Sequence, residues 1–115
     1  VPFASLADGT RGEATKAVRA RVAAARARQV ERFAAFPGVY ANAQMDTGLL
    51  RCFARPRPSV SGLLQEAVER GLSARAYHRV LKVARTLADL DGRDEVSRED
   101  ALEALTYRAL DRRVP

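Results

Sequence analysis

Gly71-Leu72-Ser73-Ala74-Arg75-Ala76-Tyr77-His78-Arg79-Val80-Leu81-Lys82-Val83-Ala84-Arg85-Thr86-Leu87-Ala88-Asp89-Leu90 decides the fold. Gly71 reads as the stop of one helix, because glycine adopts the left-handed backbone that closes a helix. Ser73 reads as the N-cap of the next, its hydroxyl oxygen free to accept from the orphan amides of the first turn. From Ser73 the pattern is helical for about five turns. At about 100° per residue, Tyr77, Val80, Leu81, Ala84, Leu87 and Ala88 fall on one apolar stripe. Arg75, Arg79 and Lys82 fall on the other side, with Arg75 and Lys82 on one line down the helix. The helix therefore has a core face and a basic face. Periodicity alone reads the basic face as a solvated surface.

Working outward, Asp91-Gly92 ends this helix. Ser97-Arg98-Glu99-Asp100 caps a last one, with its acids near the positive end of the helix dipole. Ala101, Leu102, Leu105 and Leu110 are expected to pack it back on the bundle. Upstream, Ser59 or Ser61 starts a helix that ends at Gly71 and turns Leu63, Leu64, Ala67 and Val68 inward. Thr10-Arg11-Gly12-Glu13 has capping-box spacing and opens a long helix from about Gly12 to Phe36, where Pro37-Gly38 stops it. Ala14, Val18, Val22, Ala25, Gln29, Phe33 and Phe36 form its stripe. Between these, Asp46-Thr47 caps a short helix through Phe53, and Pro56 and Pro58 hold Arg57 extended. The expected organisation is a short apolar arm over 1–9, a long basic helix over 10–36, an irregular connector over 37–58 and a helical bundle over 59–113. The fold class is all-α: a long N-terminal helix plus a small bundle, with Tyr77, Leu81, Ala84 and Ala88 among its most buried residues.

Composition agrees. A chain of 115 residues supports one domain with a modest core. Aromatics are 6% and Trp is absent, so Ala and Leu must fill most of that core, which favours closely approaching helices over a sheet. There is no apolar run of about 18 residues and no signal peptide, so neither a membrane span nor secretion is expected. A lone Cys52 cannot form an intrachain disulfide; a reduced cytoplasmic setting and a small buried thiol are the expectation. The net charge of +6 lies wholly in the first half: residues 1–58 hold ten cations and four acids, residues 59–115 ten of each. Residues 16–32 alone carry six cations against Glu31, with Arg21, Arg28 and Arg32 on one flank of the stripe and Arg19 and Arg26 on the other. Such a helix is either a solvated face whose Arg stems cover apolar surface or a face turned to phosphate. Arg51, Arg55 and Arg57 form a second small basic cluster.

Catalytic equipment is missing. No G-x-x-x-x-G-K-[ST] occurs, and no strand ending in paired acids is present to hold Mg²⁺. His78 is the only histidine, so a catalytic triad or a histidine metal site has no second imidazole. Asp89, Asp91, Asp94 and Glu95 lack the alternating spacing of a calcium loop and read as solvated caps. The chain by itself is not expected to be an enzyme or to bind a metal.

The run Gly71–Leu90, with Asp91-Gly92 and the later Ala101-Leu102-Glu103-Ala104-Leu105-Thr106-Tyr107-Arg108, resembles the C-terminal lid of magnesium-chelatase-like AAA+ ATPases of the ComM/YifB branch. The resemblance runs from about Val1 to Arg113 and is weakest over 37–60, where Asn42, Gly48, Leu49 and Arg51 stand at comparable places but the Pro-Arg-Pro stretch departs from the pattern. It implies an AAA+ core preceding the lid, a parent that uses ATP and Mg²⁺ with neither expected to be bound appreciably by this chain alone, and a homo-oligomeric ring. It also implies work on DNA, in uptake and recombination, but not magnesium chelation itself. It implies that Arg75, following Gly71-Leu72-Ser73, is the sensor-2 arginine that reaches the ATP phosphates, with Arg79 as the alternate. Arginine suits that task because its planar fork bonds phosphate bidentately and never loses its charge. Two readings compete with the lid: a free-standing basic module that binds nucleic acid through the 16–32 helix, and a protein-docking bundle with no phosphate role.

Overall fold

The Ala- and Leu-rich segments fold as helices throughout, and no strand forms among the described residues. The computed structural model describes the backbone of residues 2–113 and the side chains of residues 14–108. In chain order the helices are α1 (Pro2–Arg32), α2 (Thr47–Phe53), α3 (Pro58–Glu69), α4 (Ala74–Leu90) and α5 (Arg98–Arg113), with one 3₁₀ turn at Asn42–Gln44 between α1 and α2. α4 is the central rod. It packs on α1, α2, α3 and α5, and α3 also meets α5.

The punctuation is where the residue chemistry puts it. Ser73 Oγ accepts from the Ala76 amide at 3.1 Å. Asp46 Oδ1 accepts from the Leu49 amide at 2.9 Å and starts α2. Ser97 and Asp100 cap α5 reciprocally: Ser97 Oγ accepts from the Asp100 amide at 3.2 Å, and Asp100 Oδ2 from the Ser97 amide at 2.9 Å. Such caps contribute about 0.5–2 kcal/mol each. α3 and α4 both end in paired backbone bonds around a left-handed glycine. Gly71 (φ 112°) is flanked by Leu72 N–H to Ala67 O and its own N–H to Val68 O; Gly92 (φ 71°) is flanked by Arg93 N–H to Ala88 O and its own N–H to Asp89 O. A side chain at either position would strain that turn.

The core face of α4 is as expected at Val80, Leu81, Ala84 and Ala88, all buried against Leu64, Val60, Ala101 and Ala104. Small residues at the crossings let α5 and α3 approach closely. The 37–58 connector is not peripheral: Met45, Leu50 and Ala54 enter the same core. Phe53 holds its place through edge-to-face contacts with Phe33 and Phe36, at ring separations of 5.7 and 5.9 Å.

Several expectations change. α1 begins at Pro2, not near Gly12, so the Thr10–Glu13 capping pattern lies inside a helix and residues 2–9 are no loose arm. A proline at the first helical position costs no hydrogen bond, and the alanines around it favour the helix. α1 ends at Arg32, with Phe33–Phe36 in tight turns before Pro37. Only Ala25, Gln29 and Phe33 of its stripe are buried; Val18 and Val22 are exposed, because only the last turns of α1 reach the bundle. Tyr77 and Leu87 are half-buried at the edge of the α4 stripe. Val68 and Leu102 are exposed, and the Leu110 side chain lies outside the described residues. Cys52 is exposed, since two-turn α2 turns Leu50 inward and Cys52 out.

Leu81→Ala should destabilise the chain by about 2–5 kcal/mol through a core cavity. Denaturant unfolding of the variant measures this; a loss under about 0.5 kcal/mol would contradict the assigned core face.

Candidate functional site

The two ends of α4 treat their charges in opposite ways. At the N-terminal end, Arg75 lies in the first turn and Arg79 one turn on; both are exposed. Neither makes a side-chain hydrogen bond or ion pair with the described residues. The first turn of α4 contains no acid, so the Arg75 charge stands at the positive end of the helix dipole with no counter-charge among the described residues. An anion placed there would meet both the guanidinium and the dipole. Lys82, expected on the same free face, is not free: it is half-buried and its Nζ donates to the Ala43 carbonyl at 3.0 Å. His78 is half-buried beside Tyr77, their rings 5.9 Å apart and tilted.

At the other end a buried polar network replaces the solvated caps expected from sequence. The Asp89 side chain is fully buried. Arg32 grips it through two bonds, Nη2 to Oδ1 at 2.6 Å and Nη1 to Oδ2 at 2.8 Å. Arg85, one turn before Asp89, adds a contact at 3.1 Å. Asn42 Nδ2 donates to Asp89 at 2.8 Å and to Thr86 Oγ1 at 3.1 Å, while Asn42 Oδ1 accepts from Arg32 at 2.9 Å. The Asn42 amide donates to Gln29 Oε1 at 2.9 Å. Arg85 also donates to the carbonyls of Phe53, Arg93 and Asp94, at 3.3, 2.8 and 2.7 Å. One cluster thus fastens α1, the 3₁₀ turn, the end of α2 and the α4–α5 loop.

The electrostatics follow the geometry. Burial pushes the Asp89 carboxyl up, but the hydrogen bonds from Arg32 and Asn42 and the charge of Arg85 outweigh it and hold the carboxyl below its ordinary value. Burial lowers the Arg85 guanidinium, and Asp89 offsets part of that. Asp100 is likewise held low: burial raises it, but bonds from Arg93 and Ser97 dominate. The remaining acids of the loop are surface partners. Asp91 pairs with Arg21 and Arg93, Asp94 with Arg28, and Glu95 with Arg57. Arg28 also donates to the Gly92 carbonyl at 2.7 Å.

One flank of the basic helix is therefore spent inside the chain. Arg21, Arg28 and Arg32 pair with Asp91, Asp94 and Asp89 respectively. Arg19 and Arg26, on the other flank, are exposed and unpaired among the described residues.

The family model for the C-terminal domain of the magnesium chelatase subunit ChlI matches residues 12–108. The chain belongs to this magnesium chelatase C-terminal family. It is 40% identical to the uncharacterized Escherichia coli protein YifB over 102 residues, 88% of this chain and 19% of that protein. It is 37% identical to the competence protein ComM of Haemophilus influenzae over 112 residues, 96% of this chain and 21% of that protein. An uncharacterized Mycobacterium tuberculosis protein is 40% identical over 98 residues, 84% of this chain and 19% of that protein. The chain spans about one-fifth of the length of these relatives. No solved structure matches it. No helix among the described residues is long and apolar enough to cross a membrane.

Within this magnesium chelatase C-terminal domain, the Ala84-Arg85-Thr86-Leu87-Ala88-Asp89 run that carries much of the resemblance is architectural at Arg85, Thr86 and Asp89. Sequence reading passed over that role. The signal was present: Leu81, Arg85 and Asp89 are four apart, so a cation and an acid stand at core-facing spacing.

Asp89→Ala leaves Arg32 and Arg85 without their buried counter-charge, and should cost about 3–5 kcal/mol in urea unfolding. The acids Asp89 and Asp100 have folded pKa values below their unfolded ones. Their stabilisation is present above the ordinary carboxylate pKa of about 4 and is lost as pH falls through the lower folded values. A thermal melt series from pH 7 to 2 should be flat near neutrality and fall steeply only below about pH 4, and Asp89→Asn should blunt that fall.

Proposed function

We propose that this chain is the helical lid of a magnesium-chelatase-like AAA+ ATPase, with Arg75 as the sensor-2 residue that contacts the ATP phosphates. The observation that carries the reading is the unpaired, exposed Arg75 in the acid-free first turn of a capped, rigid helix. Because α4 is packed by four other helices, the backbone that carries Arg75 is already placed, and only the side chain's own freedom is lost on meeting phosphate. The lid contributes position and positive charge. The Walker residues that bind ATP and Mg²⁺ and activate water would belong to an AAA+ core, assembled as a homo-oligomeric ring. Arg79, exposed one turn further, is the alternate contact.

Action on DNA is part of the proposal, through the parent's motor rather than through this chain's own affinity. The pairing of Arg21, Arg28 and Arg32 with Asp91, Asp94 and Asp89 weighs against a free-standing nucleic-acid module, since it removes half of the basic helix from phosphate contact. Titration of labelled duplex DNA with this chain should give weak binding that vanishes at moderate salt. Tight binding there would favour the free-standing module over the lid.

In the full-length protein, Arg75→Ala should keep the fold, because the side chain is exposed and makes no hydrogen bond or ion pair with the described residues. A lost charge-assisted hydrogen bond corresponds to about 1.5–3 kcal/mol, so steady-state ATP hydrolysis should fall about 10- to 150-fold. Arg79→Ala should do less. Near wild-type turnover in a folded, assembled Arg75→Ala protein would falsify the sensor-2 role.

A further inference from the structure

A cleft of about 440 Å³ lies between α2, the Arg55-Pro56 stretch and α4. Leu50 and Leu81 line its apolar part, and Thr47, Arg51, Arg55, Tyr77 and His78 supply polar groups. No acid lines it. Arg51 and Arg55 stand four residues apart, are exposed, and make no hydrogen bond or ion pair with the described residues. Both guanidiniums line the same cleft, so their charges add there, and an anion bound in it would meet both. Their neighbour Arg57 differs: it is paired with Glu95. The cleft beside Arg57 also takes in Asp94 and Glu95 as well as Arg93 and Arg98, so its charges are mixed. The contrast isolates Arg51 and Arg55 as the unbalanced pair.

We propose that the α2–α4 cleft is a binding site for the phosphates of a nucleotide-sized ligand, held by Arg51 and Arg55 with His78 and Thr47 as further polar contacts. The planar forks of two arginines match phosphate oxygens bidentately. The volume is in the range of small-ligand pockets, and Tyr77 offers a ring edge or face to a base or sugar. A compact phosphate ester fits a half-enclosed cleft better than a continuous strand does. The unpaired cations of α1, which a strand would need to follow, lie on a different element. Arg75 does not line the cleft, so this site does not rest on the sensor-2 reading.

The test uses this chain, ¹⁵N- and ¹³C-labelled, titrated at constant ionic strength with inorganic pyrophosphate, with ATP, and with a twelve-residue oligothymidylate. His78 is the only histidine, so its ring signals report on the cleft without ambiguity. Pyrophosphate and ATP should shift the His78 ring and the Arg51 and Arg55 side-chain signals saturably. The double variant Arg51→Ala/Arg55→Ala should bind at least about tenfold more weakly with its amide spectrum otherwise retained. Arg98→Ala, which removes a remote exposed charge, should bind as the parent chain does. The absence of a saturable shift, or an undiminished shift in the double variant, overturns the site. So does a response to oligothymidylate without one to pyrophosphate.

Discussion

The carboxylate of Asp89, held between the guanidiniums of Arg32 and Arg85 and bonded by Asn42, is the interaction on which the rest of the arrangement depends. A buried charge is costly to desolvate, and a pair of this kind adds little net stability compared with an apolar replacement. What it supplies is geometry. Every oxygen of Asp89 and the side-chain amide of Asn42 are satisfied only when α1, the 3₁₀ turn and α4 sit in one relation. Arg85 extends the same constraint to the end of α2 and to the α4–α5 loop through three carbonyls.

This joint explains how a long helix is attached by its end. α1 touches the bundle through Ala25 and Gln29, with Phe33 just beyond its end, and through a set of arginines on the same side. The outer pairs, Arg21–Asp91 and Arg28–Asp94, are solvent-exposed and contribute about 0–1 kcal/mol each. The inner pair is buried and specific. The excess positive charge of the first half of the chain is thus partly met by acids clustered after α4.

The same helix whose charges are paired at its C-terminal end is unbalanced at its N-terminal end. Among the described residues Arg75 and Arg79 have no ion-pair partner, and neither do Arg51 and Arg55 across the α2–α4 cleft. Packing of α4 on four other helices fixes the backbone that carries Arg75 and Arg79. The proposed sensor-2 role of Arg75 draws on that combination: a firmly tied far end and an uncompensated charge at the other.

Local chemistry made much of this legible in the sequence. Ser73, Asp46 and Ser97 cap helices, Gly71 and Gly92 close them, and the period of Val80, Leu81, Ala84 and Ala88 points one face inward, because each depends only on residues a few positions away. The exposed Arg75 followed from the same period, as did the all-α class. Long-range pairing decided the rest. That Asp89 is buried while Asp91 is not, that Arg32 and Lys82 are engaged while Arg75 is free, and that Asn42 fills a polar niche all depend on partners 10 to 57 residues away. The burial of Val18, Val22 and Cys52 failed for the same reason: a stripe or a thiol is inside only if another element arrives to cover it. Periodicity determines which face a helix offers; only the tertiary structure decides what meets that face, because a charge's environment is set by the neighbours that folding brings to it.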